Sequence, residues 1–228
     1  MNKSSEHRYG LWDKLDAIFL VCNNALSIQY TDDSQLSDAH SFPEFHEIRK
    51  HHGFFEVCRT PELACALTLQ PIDRYGSLLD ASIIFSDILV IPQALGLEVK
   101  MVDGRGPVFT APLDTPADIA RLHEKIDVGK ELGYVYEAIT LTRMKLEGRV
   151  PLLGFVGAPW TLMAYMIEGG GSKTLAKAKS WLWKYPEESH RLLQRITDVS
   201  VTFLVGQVKA GAQVRLIAIT ERRHAFGS

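Results

Sequence analysis

Apolar residues along this chain follow two kinds of pattern. Three short runs, 81–86, 150–155 and 214–219, are mostly apolar and rich in Ile, Val, Leu and Phe. Runs of that length without a polar face predict strands covered on both sides. The stretches between them repeat at helical spacing. Leu132, Val135, Tyr136, Ile139 and Leu146 share one broad face, which predicts a helix capped by Asp127, reaching residue 147 and stopped at Gly148. Leu192, Ile196, Val199, Phe203 and Val208 form the stripe of a long helix that Pro186 opens and Gly211 ends. Thr60-Pro61-Glu62 places a hydroxyl cap, a first-turn proline and an acid where a helix starts, and Tyr75-Gly76-Ser77 closes it. Shorter helices are predicted over 160–167 and 173–183, with a glycine turn at 169–171 between them. Residues 97–101 and 107–109 flank Asp103-Gly104-Arg105-Gly106, a hairpin signal. Residues 1–42 show no sustained period and predict a weakly ordered segment with one short helix near 11–21.

Strands alternating with helices imply a parallel sheet with helical crossovers, an α/β architecture. A chain of 228 residues that is 46% hydrophobic can bury one substantial core. Its net charge of −2 supplies no basic field for nucleic acid. The apolar runs stop well short of the roughly 20 residues that cross a bilayer, and the first residues lack the pattern of a secretory signal. Cys22, Cys58 and Cys65 have no framework spacing, which fits free thiols in a reducing, cytoplasmic compartment.

The first apolar run leads straight into Asp87, and Ile88-Leu89-Val90-Ile91 follows at once. A carboxylate in such a setting is costly to desolvate unless something pairs with it. The residues alone allow two readings. One is a helix cap or otherwise satisfied structural acid. The other is a reacting-site carboxylate at the end of a barrel strand, where barrel enzymes build their sites. Competing sites are weaker. Gly169-Gly170-Gly171-Ser172-Lys173-Thr174 has the outline of a phosphate loop, but Ile167 and Ser172 stand where its glycines belong. His46, His51 and His52 lack the paired spacing with an acid that a zinc helix presents, so no metal site is predicted. Trp181 and Trp183 face different sides of their helix and form no joint stacking platform.

Phe85-Ser86-Asp87-Ile88-Leu89, Pro92-Gln93-Ala94-Leu95-Gly96, the stretch from Gly154-Phe155-Val156-Gly157 through Ala158-Pro159-Trp160-Thr161-Leu162-Met163, and Glu168-Gly169-Gly170-Gly171-Ser172 occur in that order. Together they closely resemble the uroporphyrinogen decarboxylase family, with wording near its fungal branch, over about residues 43–213. The resemblance implies a (β/α)8 TIM barrel. Such a barrel needs eight strands and typically about 250 residues, so the chain is expected to hold only its N-terminal part. It also divides the chain into a divergent segment 1–42, a barrel part 43–213 and a divergent tail 214–228. The implied activity is cofactor-free decarboxylation of the four acetate side chains of uroporphyrinogen III to coproporphyrinogen III in haem biosynthesis, by a homodimer.

That chemistry assigns roles by resemblance. The pyrrole N–H groups of the substrate point inward, and an ionised carboxylate is acceptor-only, with about four lone-pair sites to receive them. It also offsets the positive charge that develops when a pyrrole carbon is protonated. The family's carboxylate carries over to Asp87. Tyr165 stands at the family's substrate-contacting tyrosine, although a core aromatic would read the same. Phe45 and Arg49, in Pro43-Glu44-Phe45-His46-Glu47-Ile48-Arg49, match a pocket phenylalanine and a carboxylate-binding arginine; a solvated helix charge is the plain alternative for Arg49. Phe155 is assigned to the pocket wall.

The chain departs from the family at both ends. The family's Met-Arg-Gln-Ala-Gly-Arg-Tyr-Leu is replaced upstream by Ser37-Asp38-Ala39-His40-Ser41-Phe42, which lacks both arginines. After Gly211-Ala212-Gln213 the family's Phe-Glu-Ser and its later histidine loop are missing, and His224 sits in an unrelated context. The expectation is a truncated form without useful turnover, produced by an alternative transcript or a gene-model error. An open barrel is further expected to leave side chains around Ile83, Phe85, Leu152 and Phe155 uncovered. Two rival readings are a non-catalytic fragment that associates with full-length subunits, and a zinc methyltransferase of the same superfamily. The latter needs a His and two Cys on zinc, and no His-x-Cys or late Cys is present.

Overall fold

The computed structural model describes residues 43–102, 106–172 and 174–218. The predicted helix near 11–21, the rest of segment 1–42, the hairpin tip Asp103-Gly104-Arg105, Lys173 and residues from Ile219 onward lie outside the described residues.

Three helices come first, α1 (Pro43–His51), α2 (Phe54–Arg59) and α3 (Pro61–Tyr75). Pro61 sits at the first position of α3 as its φ requires, but Thr60 does not cap it with its hydroxyl. That hydroxyl donates backwards to the Glu56 carbonyl (2.8 Å), which the end of α2 leaves without a helical partner. Strand β1 (Ser82–Ile83) follows, then the short helix α4 (Val90–Ala94) and the antiparallel hairpin β2 (Val99–Val102) with β3 (Gly106–Phe109). Helix α4 was not predicted, nor was α2.

A 3₁₀ segment, Pro116–Arg121, leads to α5 (Val128–Glu131) and α6 (Gly133–Leu146). The sequence pattern predicts one helix here. Asp127 caps it as expected, accepting from the Lys130 amide (3.1 Å), but the chain breaks at Leu132, immediately before the poor helix former Gly133. Strand β4 (Leu152–Gly157), α7 (Pro159–Glu168), α8 (Ala176–Lys184), the long α9 (Pro186–Ala210) and strand β5 (Val214–Ala218) complete the order.

The three-stranded sheet has the order β1-β4-β5 and is parallel throughout. With its helical crossovers it is part of a (β/α)8 barrel. Register sorts its side chains into layers. Ile83 pairs with Leu153 and Leu153 with Val214; Phe155 pairs with Leu216, and Gly157 with Ala218. Alternate residues, Ser82 on β1 and Gly154 on β4, face the helices: the Ser82 hydroxyl donates to the Thr68 carbonyl of α3 (3.1 Å), and a Cβ on Gly154 would collide with Gln207 Oε1 of α9. The strands are buried on the helix side by Ile72, Ile84, Leu146, Leu192, Ile196 and Phe203.

Two expectations are corrected by this packing. Leu152 and Phe155 are buried, at 0% and 5% exposure, instead of uncovered. Leu152 shares the face of Gly154 and therefore packs under the helices, while only Ile83 and Phe85 stay partly open. The stripe on α9 also ends differently. Val208 is exposed and its neighbour Gln207 is fully buried, because the Gln207 amide donates to the Phe155 carbonyl (2.9 Å) through the space that Gly154 leaves empty. Among the described residues no helix is long and apolar enough to cross a membrane.

Gly154→Ala should therefore destabilise the fold by roughly 2–4 kcal/mol, combining overpacking with a lost buried hydrogen bond. Urea denaturation should show that this cost shrinks sharply in a Gln207→Ala background. Additive costs would mean the two residues do not compete for that space.

Candidate active site

Barrel parity places Asp87. Residues 83 and 85 project to the inner side of β1, and the Ile84 amide still donates to the Leu153 carbonyl (3.0 Å), so the extended course persists past the formal strand end. Asp87 follows at the C-terminal edge of the sheet, one layer above Phe85, and is 2% exposed. Its Oδ1 accepts the Leu89 amide (3.0 Å) and its Oδ2 accepts the side-chain amide of Gln93. The first bond closes a local turn in which an Asp accepts from the residue two positions on. The plain capping role and a buried, oriented carboxylate are thus present in the same side chain.

Cationic and apolar groups surround this acid. The Gln93 carbonyl oxygen accepts from Arg59 Nη2 (2.7 Å), which ties α4 to the end of α2. Arg59 also lies over the Phe55 ring (5.9 Å), and Phe54 meets both Phe55 and Phe85 edge-on (5.4 and 6.0 Å). Arg49 lies over the other side of this cluster, 5.8 Å from the Phe54 ring centroid, and donates to the His52 carbonyl (3.1 Å). Arg49 is half-buried, and that burial lowers the pKa of its guanidinium. Among the described residues no carboxylate lies within ion-pair distance of it. Arg49 is held against an aromatic surface and is not a fully solvated helix charge.

Cys58 links these groups. Burial pushes its thiol well above the ordinary range, the negative Asp87 pushes it further, and Arg49 and Arg59 pull it back. Tyr134, at the start of α6, feels the same field: burial first and then Asp87 raise its phenol to about 12, against the charge and hydrogen bond of Arg59. Asp87 and Arg49 are therefore brought into one electrostatic cluster, together with Arg59, Gln93, Cys58 and Tyr134, none of which the sequence singled out. These last four come from three separate helices, and only Gln93 lies in a quoted motif.

The remaining sequence-selected residues belong to the neighbouring unit or to α1. Phe155 is buried on β4, one layer below Gly157. Tyr165 is 7% exposed on α7, one helical turn from Leu162. A Cβ on Gly157 would meet Leu162 Cδ2 at 2.6 Å and Ile88 Cγ1 at 3.2 Å, so the Asp87 loop and α7 close over the end of β4. The β5 end joins them, as Ala218 accepts from the Ala158 amide (2.8 Å) and the Thr161 hydroxyl (3.4 Å). Phe45 is partly buried on α1, four residues before Arg49 and on the same face, with an edge contact to His46 (5.9 Å).

The raised phenol of Tyr134 has a stability consequence. Unfolded tyrosine loses its proton near pH 10, whereas the folded group holds it to about 12. Between these values the native state binds more protons, so stability falls as pH rises, by about 1.4 kcal/mol per pH unit. Denaturation series at pH 9.5 to 11.5 should show a shallower loss in Tyr134→Phe than in the parent. Parallel curves would remove Tyr134 from the buried cluster.

Comparison with known proteins identifies the family. A family model described as Uroporphyrinogen decarboxylase (URO-D) matches residues 39–222. The chain is similar to the uroporphyrinogen decarboxylase of Schizosaccharomyces pombe (62% identical over 172 residues) and to that of Homo sapiens (61% over 171), in each case over 75% of this chain. Those alignments cover 48% and 46% of the relatives, so the chain spans about half the length of the curated relatives it matches. Among solved structures, a methyltransferase from Methanosarcina mazei shares the fold, with a TM-score of 0.56 at 22% identity, covering 87% of this chain and 58% of that one. With a family model over most of its length and relatives of that identity, this chain belongs to the uroporphyrinogen decarboxylase family.

Proposed function

We propose that this chain binds uroporphyrinogen, with Asp87 as the central acceptor for the pyrrole N–H groups, in a site that serves cofactor-free decarboxylation to coproporphyrinogen in haem biosynthesis. One observation carries this reading: a carboxylate 2% exposed at the C-terminal edge of a parallel barrel sheet, with a half-buried guanidinium in the same cluster that meets no carboxylate among the described residues. A porphyrinogen requires that division of charge. Its rim is anionic and its centre presents N–H donors.

The chemistry follows from the roles. A proton is delivered to a pyrrole ring carbon, which makes the ring an electron sink. The bond between the acetate methylene and its carboxylate then breaks, carbon dioxide leaves, and its electron pair flows into the ring. A second proton on the exocyclic carbon completes the methyl group, and the ring carbon then releases the first proton, which restores the aromatic pyrrole. Asp87 lowers the barrier by opposing the cationic ring in a site of low polarity, where a fixed charge acts strongly. Arg49 grips a rim carboxylate, with Phe45 beside it. Phe155 forms the apolar floor one layer down, and the Tyr165 hydroxyl donates to substrate or orients its neighbour. The functional unit is the stretch 43–213, acting in the cytoplasm and paired as a homodimer.

Residues 37–42 read Ser-Asp-Ala-His-Ser-Phe and contribute no arginine to the rim. Each missing charge-assisted hydrogen bond is worth about 1.5–3 kcal/mol, or roughly 10- to 150-fold. Binding without efficient turnover is the expected behaviour of the chain. Anaerobic titration with uroporphyrinogen should show saturable binding, weakened at least about tenfold in Asp87→Asn, which keeps the shape but loses the charge and half the acceptors. Asp87→Glu should also bind poorly, since one methylene moves the carboxylate off its axis. Unchanged affinity in Asp87→Asn would sink the assigned role, and efficient conversion by the parent chain would overturn the reading of the rim.

A further inference from the structure

Gln93 belongs to a motif that the proposed reaction leaves without a task, and Arg59 belongs to none. Their geometry gives both a function. A guanidinium has only donors, so Arg59 Nη2 at 2.7 Å fixes which end of the Gln93 amide it meets, namely the carbonyl oxygen. The NH₂ end must then point the other way, and there it donates to Asp87 Oδ2. Without Arg59 only the carboxylate itself would favour this orientation of the amide, and the side chain would be anchored at one end instead of two. The backbone of Gln93 is itself pinned, with its amide donating to Leu89 (3.0 Å) and its carbonyl accepting from Gly96 (2.9 Å).

We propose that Arg59 and Gln93 are positioning residues that act through Asp87: Arg59 locks the Gln93 amide, and the amide holds the carboxylate charged and aimed into the barrel. The proposal rests on the reading of Asp87 as the substrate's acceptor, but the lock itself can be tested without ligand. Arg59 lies on α2, Gln93 on α4 and Asp87 in the loop after β1, so the relay spans three elements that no local spacing connects. It also places a positive charge one amide away from the acid. The amide stands between the two charges in place of a direct ion pair.

A purely structural tie between α2 and α4 makes a different prediction, and Gln93→Glu separates the two. Glutamate keeps an acceptor for Arg59, so the tie survives, but it turns an acceptor and a negative charge toward Asp87. Two readouts are taken on the folded chain. The first is the ¹³C titration of the Asp87 carboxyl, assigned with Asp87→Asn. The second is anaerobic uroporphyrinogen affinity. Gln93→Glu and Arg59→Gln should both move the Asp87 titration upward and weaken binding by about tenfold or more, equivalent to 1.4 kcal/mol. Arg59→Lys, which can still donate to the Gln93 oxygen, should stay close to the parent in both. Arg59 is exposed, so Arg59→Gln carries the test alone if Gln93→Glu does not fold. An Asp87 titration unchanged in folded Gln93→Glu or Arg59→Gln overturns the lock. If the parent chain itself fails to bind uroporphyrinogen, the tetrapyrrole reading falls, and the lock is judged on the titration.

Discussion

The buried carboxylate of Asp87 is the constraint around which this half-barrel is arranged. Moving an ionised acid out of water costs several kcal/mol unless donors replace the water it loses. Here one oxygen takes a backbone amide of its own loop, and the other takes a side-chain amide from the next helix. The loop conformation and the docking of α4 are therefore both fixed by the need to satisfy a single group. Burial first, and then the same charge, raise the thiol of Cys58 and the phenol of Tyr134. The acid thus has nearby groups that do not compete with it for cations.

Sheet geometry determines where that charge points. With Ile83 in register with Leu153, and Phe155 with Leu216, the inner face carries one apolar layer above another. Gly157 and Ala218, in register at the C-terminal edge, present almost no side chain there. The small residues of this layer let Leu162 of α7 and Ile88 of the Asp87 loop pack directly over the end of β4. Close packing below and small residues at the edge are two halves of one arrangement, because the strands that lock the helices together also set the floor of the site.

The parts of this structure legible in sequence are those where one local pattern suffices. The apolar run into Asp87, the Asp127 cap and the 186–210 helix are of this kind. Their physics is contained in a few consecutive residues, so periodicity and capping chemistry report them directly. The short helices α2 and α4 were missed because five or six residues cannot show a helical period, and their stability comes from tertiary contacts. Gln207 was missed because its burial depends on a glycine 53 positions earlier in the chain. The site divides in the same way. Asp87 and Arg49 stand in recognisable words, whereas Arg59 and Tyr134 matter only through what the fold brings beside them.

The separation of charge in the site is its most consequential feature. Arg49 and Arg59 both lie within electrostatic reach of Cys58, as does Asp87, yet neither is among the hydrogen-bond partners found for the acid. A bidentate guanidinium on Asp87 would be a stronger local bond and a poorer site, since both oxygens would be spent within the protein. An amide between Arg59 and Asp87 transmits orientation without a direct guanidinium–carboxylate bond. Arg49 shows the complementary economy: it is stacked on Phe54, half-buried, and anchored through one backbone carbonyl, with donors remaining for an anion. Stacking holds a guanidinium in place without neutralising it. The acid and the two guanidiniums thus stay close in space while each is held by neutral partners.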